Sequence, residues 1–154
     1  MTFSDDESPD LKNVGTRRLA RIMAMQMLCQ FDVQGDEAMR DFETLCVESE
    51  APPQARTYAR ELMDQAWRQR ADGDRRIAAA ATDWRPERIS PVERNILRIA
   101  VQEMLAGEVP LKVAIDEAIE ISRVYGGADS PGFINGVLDG IYRHMREETG
   151  DGIV

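Results

Sequence analysis

Three arginines near the start of the chain, Arg17, Arg18 and Arg21, have a type and spacing suited to holding an anion. On a helix turning about 100° per residue they fall together, opposite a side formed by Leu19, Ala20, Met23, Ala24, Met27 and Phe31. Met25 and Cys29 continue the arginine face down the helix. Cations in a first helical turn sit at the positive end of the helix dipole, which disfavours them slightly. The same placement welcomes a phosphate, which meets the dipole and the guanidinium forks together. This chemistry names a class of ligand and no particular molecule. An ordinary solvated helix end is the competing reading.

Catalytic chemistry finds little support. His144 is the single histidine and lies on the polar side of the last helical stretch. A serine nucleophile needs a nearby base, and His144 is the only obvious one. Cys29 and Cys46 are too few for a disulfide framework or a zinc site, and both lie in apolar periodic segments as small reduced hydrophobes. Gly126-Gly127 lacks the Lys-Ser/Thr and the preceding strand of a phosphate loop, and reads as a helix stop. Asp116, Glu117 and Glu120 read as the wet face of an amphipathic helix. The expectation is a binding protein without cofactor, metal or enzymatic activity.

The composition bounds what such a protein can bind. A chain of 154 residues with 43% hydrophobic content can bury a real core in one domain, or in two tightly packed halves. No apolar run approaches the roughly 20 residues of a membrane span. Met1 to Asp10 is acidic, unlike a signal peptide, so a cytoplasmic setting and no membrane partner are expected. A net charge of −9 argues against non-specific coating of nucleic acid. Yet Asp5, Asp6, Glu7 and Asp10 give way abruptly to Lys12, Arg17, Arg18 and Arg21. A local basic cluster on an acidic body points to a small, specific anionic partner.

The elements that must position these residues are all helical. Period 3.6 recurs and period two does not. The pattern predicts helices over about 16–33, 37–48 and 54–69, a short helix through Ile77 after a break at Asp72-Gly73, and three more after Ser90. Pro52-Pro53 separates the second from the third. Asp83 to Ser90, with Trp84-Arg85-Pro86, is the expected hinge between halves covering about 16–84 and 90–146. Ser90-Pro91-Val92-Glu93 has the form of a capping box with proline at the first helical position. The helix it opens is apolar almost all round and should be central and buried. Gly107 and Gly126-Gly127 end the fifth and sixth helices, and Asp129-Ser130-Pro131 starts the seventh. Residues 1–15 and 147–154 are expected to be loose tails.

Three blocks of this sequence resemble the NusB family. The first is Arg17-Arg18-Leu19-Ala20-Arg21 with Ala24, Gln26 and Leu28. The second is Ile89 to Ala100. The third is Val109 to Ala118, then Tyr125 to Ser130, then Phe133 to Asp139. The resemblance implies an all-α, NusB-like fold of about seven helices in two packed halves. It also implies transcription antitermination, through binding of boxA-type, single-stranded RNA of ribosomal RNA transcripts with the ribosomal protein NusE, in an antitermination complex with RNA polymerase. By position it assigns RNA contact to Arg17, Arg18, Arg21, Cys29, Asp129 and Phe133, the last also a candidate core residue. It assigns the partner surface to Glu93, Leu111 and Glu117. Some relatives self-associate, and the Met-rich first helix is compatible with a homodimer.

The chain departs from the family pattern where RNA should pass. Cys29 stands where a tyrosine is common, removing a stacking surface worth roughly 1–3 kcal/mol per base. Pro131-Gly132 replaces a frequent His-Lys pair, and Gln102 and Leu111 replace aromatics. These departures leave open a second reading, a protein-interaction module on a NusB fold with weak or lost RNA binding. A third, part of a ribosomal RNA methyltransferase, would need a cofactor-binding domain that these 154 residues do not contain.

Overall fold

The computed structural model describes residues 14–81 and 88–149, and over them the backbone is helical with no strand. The elements are α1 (Thr16–Gln34), a 3-10 helix (Gly35–Asp41), α2 (Phe42–Glu48), α3 (Pro53–Arg68), α4 (Arg70–Ala80), α5 (Pro91–Ala106), α6 (Leu111–Tyr125) and α7 (Ser130–Thr149). The all-α fold of seven α-helices follows the hydrophobic periodicity. Its boundaries differ from it at three places.

The stretch expected to be one helix over 37–48 is 3-10 up to Asp41. Only Ala38 is buried there, so no apolar stripe holds the chain in α register. Asp72-Gly73 does not break the chain, which turns at Gln69 and runs helically through Gly73. Asp72 sits in the first turn of α4, where a carboxylate suits the dipole, and pairs with Arg75 and Arg76. Residues 147–149 continue α7, and Arg76 reaches Glu148 across 3.4 Å. The acidic N-terminus Met1–Asp10 and the Trp84-Arg85-Pro86 part of the hinge lie outside the described residues.

The capping box of α5 forms as its sequence requires. Ser90 Oγ accepts from the Glu93 amide at 3.1 Å, and Glu93 Oε1 accepts from the Ser90 amide at 3.1 Å. At the other end Gly107 takes the left-handed conformation (φ 74°) that closes the helix without a Cβ penalty.

Two helices carry the core. α5 packs against α1, α3, α4, α6 and α7, and α1 packs against α3 and α5. Residues 95–104 of α5 and 19–25 of α1 are buried without a gap. The methionines of α1 (Met23, Met25 and Met27) are buried in this core, which spends the surface a self-association through them would need. Uninterrupted burial means that the polar residues in these runs must find partners inside. Arg98, 7% exposed, donates from Nε and Nη2 to Asp74 at 2.8 and 2.7 Å, and from Nη1 to Asp32 at 2.8 Å. Fully buried Asn95 donates to Asp32 and to the Pro91 carbonyl, each at 2.9 Å. One guanidinium therefore ties α1, α4 and α5 together.

Removing it leaves Asp32, 18% exposed, and the buried Asn95 without their guanidinium, while Asp74, 42% exposed, stays in contact with water. Arg98→Ala should cost about 3 kcal/mol in urea unfolding. Arg75→Ala, at an exposed i,i+3 pair, should cost less than about 0.5 kcal/mol.

Candidate functional site

The opening of α1 has no acidic residue in its first turn and no side-chain cap. Its compensation comes from distant parts of the chain. Arg18 donates from Nε to Glu117 Oε2 at 2.8 Å and from Nη2 to Glu117 Oε1 at 3.0 Å, a bidentate pair between α1 and α6. Arg21 makes the same fork with Glu103 of α5, at 2.8 and 3.0 Å, and lies 3.7 Å from Glu117. The Tyr58 hydroxyl of α3 donates to Glu103 Oε2. Arg17 is exposed, with its guanidinium 4.0 Å above the centre of the Tyr58 ring, a cation–π contact. A continuous ladder thus runs Arg17, Tyr58, Glu103, Arg21, Glu117, Arg18.

The three arginines are together but not equivalent. Arg21 is 5% exposed and Glu103 3%, so this pair is sealed in the core. Arg18 keeps 41% of its side chain in solvent, and Glu117 keeps 21%. Burial works against the Arg21 charge, but the hydrogen bond and attraction of Glu103 outweigh it and hold the guanidinium above its ordinary value. The Arg18 hydrogen bond, assisted by both nearby arginine charges, holds the Glu117 carboxyl below the usual glutamate range against the opposing effect of burial. Chemically the ladder can offer Arg17 and Arg18 to an anion while Arg21 braces them from behind.

Sequence periodicity places all three arginines on one face, but that face packs against neighbours. Met25, on the same face, is 2% exposed. Tyr58 and Glu103 are the members of the site that the sequence reading does not single out. Their signal lies in α5, where Asn95, Arg98, Gln102 and Glu103 interrupt an otherwise apolar run. Polar residues at such positions need charged or hydrogen-bonding partners.

A second cluster gathers where α5 and α7 begin. Glu93 Oε2 accepts from the Ser130 hydroxyl at 2.8 Å, and Ser130 Oγ accepts from the Gly127 amide at 3.0 Å. Both Glu93 oxygens are thereby engaged inside the protein. Gly126 is required here for space: a Cβ would lie 2.6 Å from Ser130 Oγ and 2.8 Å from the Ser122 carbonyl. Asp129 is exposed beside this junction. Phe133 is 8% exposed and belongs to the core cluster. Cys29 is half-buried about 16 Å down the α1 axis from Arg18. Its thiol donates to the Pro91 carbonyl at 3.6 Å and accepts from Asn95 at 3.5 Å, and burial raises its pKa. The residue in the tyrosine position thus binds the start of α5.

Leu111 stands apart from both clusters. It is half-buried on an open groove of about 690 Å³, with Met104, Val109, Ile115, Tyr142 and Met145. Asp139 and Lys112 also line it. Among the described residues no group of histidine, cysteine and carboxylate side chains could hold a metal ion. Among them, too, no helix is long and apolar enough to cross a membrane.

Two outcomes follow from this geometry. Arg21→Ala leaves Glu103 buried without its charge partner and should lower unfolding stability by about 3–5 kcal/mol, while Arg17→Ala should change it by less than about 0.5 kcal/mol. Glu117 has a depressed folded-state pKa, so its stabilisation is complete above the unfolded-state value and is lost as pH falls through the folded one. In urea titrations from neutral to acid pH, the stability gap between wild type and Glu117→Gln should close below the ordinary glutamate range.

A family model described as the NusB family matches residues 18–143. The transcription antitermination protein NusB of Symbiobacterium thermophilum is 39% identical over 144 residues, covering 88% of this chain and 94% of that protein. Among solved structures, T. maritima NusB superposes with a TM-score of 0.70 at 34% identity, covering 82% of this chain and 90% of that one. A structure of the antitermination factors NusB and NusE in complex with dsRNA matches at 26% identity and a TM-score of 0.71, covering 84% of this chain and 97% of that one. The match takes in the α1 arginines from Arg18, the α5 capping box and the α7 junction, and this chain belongs to the NusB family.

Proposed function

We propose that this protein is a transcription antitermination factor that binds boxA-type RNA of ribosomal RNA transcripts together with NusE. On this reading it acts by binding, not catalysis, in the cytoplasm and within an RNA polymerase antitermination complex. The observation that carries the reading is the pair of solvent-reaching guanidiniums, Arg17 and Arg18, at the opening of α1. Planar guanidinium forks suit phosphate, and an arginine stacked on an aromatic ring presents a face on which a base can stack. Arg21 serves by holding α1 in place. Asp129, exposed just before α7, is taken as a further RNA contact, and Phe133, buried in the core, serves through packing.

The partner surface lies on the C-terminal helices. The groove at Leu111 offers apolar contact, and Glu117 adds negative charge that suits a basic ribosomal protein. Glu93 contributes by fixing the start of α5 against α7. The alternative, an interaction module with weak RNA binding, is favoured by specific features: Cys29 and Gly132 in place of an aromatic and a cation, and the engagement of Arg18 by Glu117.

Binding of a labelled boxA-type single strand, and of a duplex of equal length, tests the reading across a salt series with and without NusE. The adaptor reading expects salt-sensitive binding, strengthened by NusE, and a fall of roughly tenfold or more in the Arg17→Ala/Arg18→Ala variant. This variant keeps Arg21, and thermal unfolding beside wild type separates loss of binding from loss of fold. NusE binding with no RNA binding at any salt concentration establishes the interaction module instead.

A further inference from the structure

We infer that Glu117 is a built-in competitor for RNA phosphate at Arg18, so that removing or engaging this carboxylate raises RNA affinity. The inference rests on the RNA reading of the α1 arginines and assigns Glu117 a role opposed to theirs. Its two oxygens occupy the Arg18 fork at 2.8 and 3.0 Å, the same bidentate geometry a phosphate would use. A phosphate arriving at Arg18 must therefore displace Glu117 or accept a single, weaker contact.

Exposure distinguishes this pair from its neighbour. Arg21 and Glu103 are sealed at 5% and 3% exposure, and no solvent ligand can exchange with them. Arg18 and Glu117 are open at 41% and 21%, where one anion can replace another. Arg21 also lies 3.7 Å from Glu117 Oε2, so the carboxylate stays held on one side when Arg18 leaves it. A basic partner that engages Glu117 from α6 would free the Arg18 fork for RNA. By linkage, RNA bound at Arg18 would then favour that partner to the same degree.

Glu120 supplies the control. It is on the same helix, acts on Arg18 only through its charge, and pairs with Arg123 at 3.4 Å. Labelled boxA-type RNA is titrated with wild type, Glu117→Gln, Glu117→Ala, Glu120→Gln, Arg18→Ala and Arg18→Ala/Glu117→Gln over a salt series, after thermal unfolding has shown each to be folded. The expected result is binding roughly three- to fivefold tighter for both Glu117 variants. Their salt slope should steepen by about one phosphate contact. Glu120→Gln should change affinity less than about twofold, and the double variant should match Arg18→Ala. Equal gains from Glu117→Gln and Glu120→Gln would reduce the effect to bulk charge and overturn the inference. So would unchanged binding by the Glu117 variants while Arg18→Ala still weakens it, an outcome that leaves the RNA reading standing. Full RNA affinity in Arg18→Ala would remove the RNA reading at this position and the inference with it.

Discussion

The Arg21–Glu103 pair is the constraint around which the N-terminal part of the molecule is arranged. It joins α1 to α5 in the core, and the Tyr58 hydroxyl brings α3 to the same carboxylate. Such a pair is tolerable in the interior only when every fork and oxygen is used, because desolvation of the two ions is expensive. The requirement fixes the rotation of α1 about its axis. That rotation in turn decides which arginines reach solvent: Arg21 faces inward, while Arg18 sits at the boundary and Arg17 beyond it. A patch with the look of three equivalent cations is therefore a graded series, from structural to available.

The arrangement at the other end of α1 shows the same economy of polar groups. Glu93 caps α5 with one oxygen and receives Ser130 with the other. Gly126 keeps the space that lets Ser130 approach. Cys29 and Asn95 meet at the first turn of α5, and Asn95 continues to Asp32 and Arg98. Residues that a family pattern marks for RNA or partner contact are also the residues that set the helix starts. The two roles are compatible, since a surface used for recognition is more accurate when its own framework orients it.

Much of this was legible in the sequence and some was not. The capping box at Ser90, the stop at Gly107 and the apolar girth of α5 follow directly from local rules, and all appear as those rules require. The register of α1 was harder to read. Its arginines and apolar residues sort cleanly onto opposite faces of a wheel, yet a wheel cannot show that the second face also packs against neighbours. Partners such as Glu103 and Glu117 are 82 and 96 positions away from Arg21, and only tertiary structure brings them close. The third helix ends at Gln69 as its pattern predicts, but the next begins at once, at Arg70, and not after Asp72-Gly73. Asp-Gly is a turn signal in isolation, but the Arg75 and Arg76 pairs of Asp72 favour helix over turn.

Arg98 also has a bearing on how the chain assembles. Its two carboxylates come from α1 and α4, and its own helix comes from beyond the segment 82–87. Asp32 and Asp74 meet only through this one cation, so the tie between α1 and α4 closes only when α5 is in place. The link thus joins early and late parts of the sequence through a single side chain. A nascent chain on the ribosome can close this three-helix tie only after residue 98 has emerged.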